Sequence, residues 1–323
     1  MKNKAQTMVP GNKHKEIPGN PSTAKSSKAQ LRNEATVDSL KVLTLEQWKF
    51  WKENGYVVVK NAVSPEQAKK TAAFLWEFDE KDSNDKETWY TTARAEIKMK
   101  ELAGTGMVEV YNNQHLWNNR QSQRVYDAFT DIWGTEKLWV TIDRANLNFP
   151  MRPGHEYKGF IHWDYDPETK PQNVQGVLAL ADQTDKDMGG FQCIPWLYRN
   201  YDTWKLTQPE DRDHFKPDVA GLEDKLVKVA MEAGDLLIFN SSQPHGIRPN
   251  TSENQVRIAQ YISMMPAQED DKALRSWRTD SWENRESPEG YAFPGDPRNW
   301  EQTKYERAEL SNLGEKLLGL KDW

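Results

Sequence analysis

The hydrophobic period of this chain changes near residue 136, and this change most constrains what the chain can fold into. Segments with the composition and alternation of strands follow from there, at 137–149, 174–181, 190–194, 226–232, 235–240 and 255–264. Turn sequences such as Gly-Asp, Gly-Gly and Asn-Thr-Ser separate several of them, and helical patterns of ten residues do not alternate with them. Because parallel strands need a crossover connection, usually a helix, the pattern favours antiparallel sheets.

The residues before the change carry helix signals instead. Thr44 and Gln47 have the spacing of a capping box, and Gly55 is a suitable end for the helix that they begin. Further helices are predicted over 65–78 and 122–133. Helices followed by many short strands predict a mainly β fold with flanking helices, in which a double-stranded β-helix forms a jelly-roll, cupin-like core.

Composition separates an N-terminal arm from the rest of the 323 residues. Residues 1–41 carry eight Lys and Arg against three Asp and Glu, and the first aromatic residue is Trp48. Such a segment buries too little apolar area to offset its chain entropy, so we predict a disordered basic arm over 1–40. The remaining 41–323 are predicted to form a single domain with three parts, namely a helical part at 41–135, the jelly-roll core at 136–266 and a C-terminal wrap at 267–323.

Several classes of protein are excluded by composition. No apolar run approaches the roughly 20 residues that a membrane span needs, and the N-terminus has no apolar stretch typical of a secretory signal. A single cysteine, Cys193, excludes an internal disulfide framework, and the net charge of -6 argues against nucleic acid as the main partner. We therefore expect a cytoplasmic protein that acts on a small molecule.

Two histidines and a carboxylate have the pattern of a metal site. Side chains alternate along a strand, so His162 and Asp164 face one way and Trp163 faces the other. His245 follows the apolar segment 235–239, and a returning antiparallel strand would bring it beside the first pair. Two His and one carboxylate form the facial triad of non-haem Fe(II) oxygenases. The alternative is that His162 and Asp164 only hydrogen-bond to each other.

Arg257 lies twelve residues after His245, on a segment that alternates like a strand. A buried guanidinium is unfavourable unless it meets an anion, and its planar fork fits a carboxylate. A dicarboxylic cosubstrate that chelates the metal at one end would present such a carboxylate at the other. The alternative is a structural ion pair with Glu232 or Asp235.

The order of HxD, a distant His and an Arg twelve residues later resembles the phytanoyl-CoA dioxygenase-like family of Fe(II)/2-oxoglutarate oxygenases. The resemblance covers roughly residues 44–265 and includes the segment Gly55-Tyr-Val-Val-Val-Lys-Asn-Ala-Val-Ser-Pro-Glu66 and the run Ala233-Gly-Asp-Leu-Leu-Ile-Phe239 before Pro244-His245-Gly246. The chain departs from the family where Pro195 precedes Trp196-Leu-Tyr instead of Gly-Ser-His.

The resemblance implies a cofactor, two cosubstrates and a set of residues. Fe(II) would be held by His162, Asp164 and His245, and O2 would react together with 2-oxoglutarate, whose 5-carboxylate would bind Arg257. By the same resemblance, two residues on flanking strands would make further polar cosubstrate contacts, Asn148 and Gln175. Related halogenases have Gly or Ala in place of the aspartate, so this chain is expected to hydroxylate a small organic substrate and to release succinate and CO2.

Other functions fit parts of the pattern. A non-catalytic jelly-roll binding module would need neither the triad nor Arg257, and a zinc-dependent hydrolase could use the same three ligands. Residues 195–225 contain six aromatic or histidine side chains, and this long segment is predicted to form either a lid over the pocket or a buttress against the outer sheet.

Overall fold

The computed structural model describes residues 29–90, 106–154, 156–288 and 293–323. The helices within these residues are α1 (Leu45–Asn54), α2 (Pro65–Phe78), α3 (Gln114–Arg120), α4 (Gln123–Trp133), α5 (Pro195–Trp204), α6 (Lys272–Asn284), α7 (Trp300–Thr303) and α8 (Asn312–Leu318). The strands are β1 (Tyr56–Val59), β2 (Met107–Val108), β3 (Leu138–Val140), β4 (Ala145–Asn148), β5 (Val174–Ala179), β6 (Met188–Cys193), β7 (Val227–Lys228), β8 (Leu236–Asn240), β9 (His245–Asn250), β10 (Arg257–Tyr261) and β11 (Met264–Pro266).

The strands form a six-stranded sheet in the order β1-β8-β5-β10-β4-β2, a three-stranded sheet in the order β7-β6-β9, and the pair β11-β3. Every strand pairing among the described residues is antiparallel. The two larger sheets contribute to one buried apolar cluster, whose members are Val177, Ala179, Phe191, Cys193, Val229, Met231, Leu237, Phe239 and Ala259. The predicted mainly β fold with flanking helices and a double-stranded β-helix core is therefore confirmed.

Helices cover the other face of the six-stranded sheet. Leu178, Ile238 and Ile258 alternate with the residues that face the barrel, and they belong to the same buried cluster as Phe129 and Ile132 of α4. Because both faces of the sheet are buried, its central strands consist almost entirely of buried residues.

The three predicted helices are confirmed, with the predicted signals at their ends. The Thr44 hydroxyl accepts from the Gln47 amide at 3.1 Å, and the Gln47 side chain accepts from the Thr44 amide at 2.9 Å. Gly55 ends α1 in the left-handed region, with a φ of 71° that most side chains avoid. Helix α2 spans Pro65–Phe78 as predicted, and α4 begins one residue later than predicted.

Two predicted strands are each divided in two, and a third is shorter than predicted. The 137–149 segment forms β3 and β4, which pair with β11 and β10 respectively. The 255–264 segment contains β10 and ends at the first residue of β11, and these two strands belong to different sheets. The predicted 226–232 strand is reduced to β7 and an isolated bridge between Met231 and Gln183.

A helix also forms where none was predicted. The C-terminal wrap contains α6, which Asp271 caps by accepting from the Leu274 amide at 2.9 Å. The buried residues of α6 are polar, namely Arg278 and Ser281. The hydrophobic periodicity that normally indicates a helix is therefore weak here. Arg278 donates to the Leu317 and Leu318 carbonyls, which ties α6 to the end of α8.

The N-terminal arm was predicted to extend to residue 40, but contacts with the domain begin before that boundary. Residues 1–28 lie outside the described residues. Leu31 is buried in the core, and the Arg32 amide donates to the Ile132 carbonyl at 3.2 Å. Among the helices that the structure describes, none is both long and apolar enough to cross a membrane.

Candidate metal and cosubstrate site

The two histidines of the predicted triad lie directly opposite each other. The His162 amide donates to the His245 carbonyl at 2.8 Å, and the His245 amide donates to the His162 carbonyl at 3.0 Å. Residues that form such an antiparallel bridge point their side chains to the same face, and the two imidazole centroids are 4.6 Å apart. His245 is the first residue of β9, a strand that was not predicted, and pairing of β9 with β6 holds it in place.

Asp164 joins the histidines because side chains alternate around Trp163. The prediction that His162 and Asp164 lie on a strand is wrong, since His162 forms an isolated bridge and Asp164 lies in a bend. The predicted alternation is nevertheless present. Trp163 is fully buried in a separate cluster with Leu197 and Trp204, on the side away from the two polar residues.

The carboxylate of Asp164 faces both imidazoles. Its Oδ1 is 3.2 Å from His162 Nε2, and its Oδ2 is 3.4 Å from His245 Nε2. The two Nδ1 atoms face backbone carbonyls, with His162 Nδ1 3.1 Å from the His245 oxygen and His245 Nδ1 2.9 Å from the Gln243 oxygen. A ring nitrogen that faces a carbonyl carries the proton, so each Nε2 keeps its lone pair for a metal.

Gln175 also binds the carboxylate of Asp164, at the oxygen that faces His245. Its Nε2 donates to Asp164 Oδ2 at 2.5 Å. Burial alone raises the pKa of Asp164, but the interactions of its carboxylate with His162 and His245 outweigh burial and hold that pKa well below its usual range. Asp164 is therefore an anion ready to bind a cation. The cosubstrate contact predicted for Gln175 stays a prediction, because its observed partner is the predicted metal ligand.

These three residues fit a single divalent ion. One ligand atom from each of His162, Asp164 and His245 lies within 4.8 Å of the others, and the described residues contain no other such group of three. Two imidazoles and a carboxylate are the donor set of Fe(II) oxygenases, and they leave coordination positions for other ligands.

Aromatic rings enclose the histidines on the barrel side and leave the other side open. The ring centroids of Phe239 and Phe191 lie 4.4 Å and 5.7 Å from the centroid of the His245 ring. Phe160 lies 4.7 Å from the His162 ring but is 45% exposed. Asp164 keeps 22% of its side-chain surface accessible, against 9% for His245, so the open side is that of His162 and Asp164.

Arg257 lies inside the barrel and has no counter-ion among the residues that the structure describes. It is 1% exposed, and its Nε and Nη1 donate to the amide oxygens of Gln183 and Asn146, each at 3.2 Å. Its Nη2 is buried and has no hydrogen-bond partner. The alternative ion pair is not formed, because Glu232 and Asp235 both bind Lys60 instead. A buried, unpaired N–H donor fits the carboxylate end of a cosubstrate.

Asn148 lies directly opposite Arg257 in the pairing of β4 with β10, and its side-chain oxygen is buried without a partner. This position is compatible with its predicted cosubstrate contact, which stays a prediction. Sequence reasoning missed Gln183 and Asn146 as partners of Arg257. The signal for Asn146 is its two-residue spacing from Asn148, which places both side chains on one face of β4.

The aromatic segment at 195–225 packs behind the triad. Helix α5 fills its first part, and Leu197 and Trp204 are buried against Trp163. The Phe215 carbonyl accepts from the Trp163 amide at 2.9 Å. These contacts support the loop that carries Asp164, whereas the predicted buttress was to pack against the outer sheet; the lid over the pocket stays a prediction.

The chain is similar to known proteins in both sequence and fold. A family model described as phytanoyl-CoA dioxygenase matches residues 51–259. "Ava biosynthesis cluster protein O" of Aspergillus versicolor is 28% identical over 247 residues, which cover 68% of this chain and 79% of that protein. Two solved structures have a similar fold with a TM-score of 0.62. The GlcNAc-inducible gene 2 protein of Candida albicans is 14% identical, with 88% of this chain and 78% of that chain covered. A hypothetical protein of Escherichia coli is 20% identical, with 86% and 82% covered.

Proposed function

Because the chain belongs to the phytanoyl-CoA dioxygenase family, we propose that it is an Fe(II)- and 2-oxoglutarate-dependent dioxygenase that hydroxylates a small organic substrate. The observation that carries the proposal is the convergence of two imidazole Nε2 atoms and one carboxylate within 4.8 Å, beside an open face. His162, Asp164 and His245 are the proposed iron ligands.

The ligands are held in place before the metal binds. Backbone carbonyls orient both imidazoles, and Gln175 orients the carboxylate of Asp164. Such supporting hydrogen bonds fix the ring orientation and increase the basicity of the ligands. When bound, the iron couples decarboxylation of 2-oxoglutarate by O2, which yields succinate and CO2, to insertion of the second oxygen atom into a substrate C–H bond.

Arg257 orients the cosubstrate from the opposite end. Its free Nη2 and buried position suit the 5-carboxylate of 2-oxoglutarate, and the triad would bind the other end of the cosubstrate through the metal. Neither a binding module nor a zinc hydrolase requires a buried, unpaired guanidinium. The same observation therefore favours the oxygenase over both alternatives.

The substrate reaches the site from the open side. Phe160 and Tyr157 are 45% and 38% exposed there, with ring centroids 5.9 Å apart, and they provide apolar surface next to His162. The phenyl rings behind His245 keep water from the barrel side. Asp164 occupies the position at which a halogenase would admit a halide, so the proposed outcome is hydroxylation.

The proposal is tested by turnover with a matched histidine control. Anaerobically loaded Fe(II) protein is mixed with 2-oxoglutarate, isotopically labelled O2 and fractions of a metabolite extract. We expect succinate release and a labelled product in a subset of fractions. His162→Ala abolishes both signals, whereas His214→Ala leaves them intact, because His214 pairs with Asp166 outside the triad. Equal turnover by the two variants would contradict the proposed ligand set.

A further inference from the structure

A second buried arginine lies near Arg257. Arg248 is on β9, three residues after His245, and is 4% exposed. Its Nε is buried without a hydrogen-bond partner. Among the residues that the structure describes, no carboxylate forms an ion pair with Arg248 or with Arg257. Nothing in the proposed chemistry described above accounts for this residue.

The surroundings of Gly190 place both guanidinium groups near the side-chain amide of Gln183. A Cβ added there would lie 2.9 Å from Arg248 Nη2 and 3.4 Å from Gln183 Oε1. That Gln183 oxygen accepts from Arg257 Nε at 3.2 Å. Gly190 has a φ of 98° and pairs with Arg248 across β6 and β9, so the missing side chain makes room for the Arg248 head group.

Neither arginine forms an ion pair with a carboxylate among the described residues, and the two positive charges act on each other. Burial lowers the pKa of Arg248, and the positive charge of Arg257 lowers it further. Asp185 and Asp187 raise it, but neither forms an ion pair with Arg248. Two like charges in a poorly hydrated interior repel each other, and an anion between them would remove that repulsion.

We propose that Arg248 and Arg257 together form a two-arginine pocket for the far carboxylate of 2-oxoglutarate. The proposal rests on the proposed function and extends it. The unpartnered Arg248 Nε and Arg257 Nη2 are available as donors to the two carboxylate oxygens. A 2-oxo acid without a second carboxylate leaves both charges unpaired, so the pocket selects dicarboxylic over monocarboxylic oxo acids.

Binding of two oxo acids tests the pocket without turnover. Calorimetry of the anaerobic Fe(II) protein compares 2-oxoglutarate with 2-oxopentanoate, which lacks the distal carboxylate. We expect Arg248→Gln to lower the affinity for 2-oxoglutarate by at least about tenfold. The affinity for 2-oxopentanoate should change by less than about twofold. Arg275→Gln is the matched control, because Arg275 pairs with Asp322 on the surface and its loss should change neither affinity.

Two results would overturn the proposal. One is 2-oxoglutarate binding by Arg248→Gln within about twofold of wild type. The other is an equal loss for both oxo acids, which would mean that Arg248 acts on the metal end or on the fold. Arg248→Lys keeps the charge but not the fork, so an intermediate affinity for 2-oxoglutarate supports the pocket even if the Gln variant does not fold.

Thermal melting of metal-free protein separates this proposal from the iron chemistry. Without an anion, the melting temperature of Arg248→Gln should equal or exceed that of wild type, because the substitution removes the repulsion between Arg248 and Arg257. A lower melting temperature, combined with an unchanged shift on adding glutarate, would assign Arg248 to the fold. Glutarate should raise the melting temperature of wild type more than that of the variant. This difference persists if the protein turns out not to bind Fe(II), so the two proposals can fail separately.

Discussion

Replacement of Arg257 by Gln should weaken the use of 2-oxoglutarate without loss of the metal. The guanidinium is 1% exposed and is held by Gln183 and Asn146, so it is positioned before any ligand binds. A glutamine at this position keeps a polar head group but loses the charge and the planar fork. The proposed iron ligands do not contact Arg257, so Fe(II) affinity should stay within about twofold of wild type.

The size of the effect follows from burial. Truncating one partner of a buried, hydrogen-bonded charge pair costs about 2–5 kcal/mol. At about 1.4 kcal/mol per factor of ten, the KM for 2-oxoglutarate should rise roughly 30-fold to several thousand-fold. We expect a value in the lower part of this range, because the proposed pocket keeps the positive charge of Arg248.

The assay is steady-state succinate release over a range of 2-oxoglutarate concentrations, with the Fe(II) affinity measured separately. Arg257→Lys should recover part of the loss, because an ammonium group restores charge but not bidentate geometry. The preference for 2-oxoglutarate over 2-oxopentanoate should fall in the Gln variant. A KM within about twofold of wild type would refute the reasoning and make the arginine structural.

Three further predictions concern the surroundings of the site. Gln175→Ala should lower Fe(II) affinity about 10- to 100-fold by freeing Asp164, as measured by competition with a chelator, and an unchanged affinity would remove Gln175 from this role. Burial raises the pKa of Glu301 from 4.5 to about 7. As the pH rises between these values, the free energy of unfolding of wild type should therefore fall by roughly 3 kcal/mol relative to that of Glu301→Gln. The same pH dependence of urea unfolding in both proteins would contradict this. Leu197→Ala should cost about 2–5 kcal/mol in urea unfolding, because Leu197 is fully buried against Trp163, whereas a much smaller loss would mean that these two residues pack loosely.

Local patterns in the sequence predicted the parts of the site that depend on alternation. His162 and Asp164 share a face because they are two residues apart, even though the segment is a bridge and a bend rather than a strand. Arg257 faces the barrel together with Ala259, which belongs to the apolar cluster between the sheets. Both outcomes depend on side-chain direction, which is a property of a few consecutive residues.

Features that depend on distant pairing could not be predicted in the same way. Strand β9 has the sequence His-Gly-Ile-Arg-Pro-Asn, whose Gly and Pro weaken any strand signal, and its register with β6 brings Arg248 over Gly190. Arg248 was missed for this reason. The hydrogen bond from Gln175 to Asp164 was not predicted, and the predicted contact of Gln175 with the cosubstrate stays a prediction. Helix α6 was missed because its buried residues are polar.

Anaerobic absorption spectroscopy tests the central claim most directly, namely that the triad holds iron together with 2-oxoglutarate. Fe(II) and 2-oxoglutarate together should produce a weak charge-transfer band in wild type and in His214→Ala, and neither compound should produce it alone. The band should be absent from His162→Ala and His245→Ala, provided that both variants melt cooperatively. A band of wild-type intensity in either of these two variants, or no band in wild type, would contradict the account.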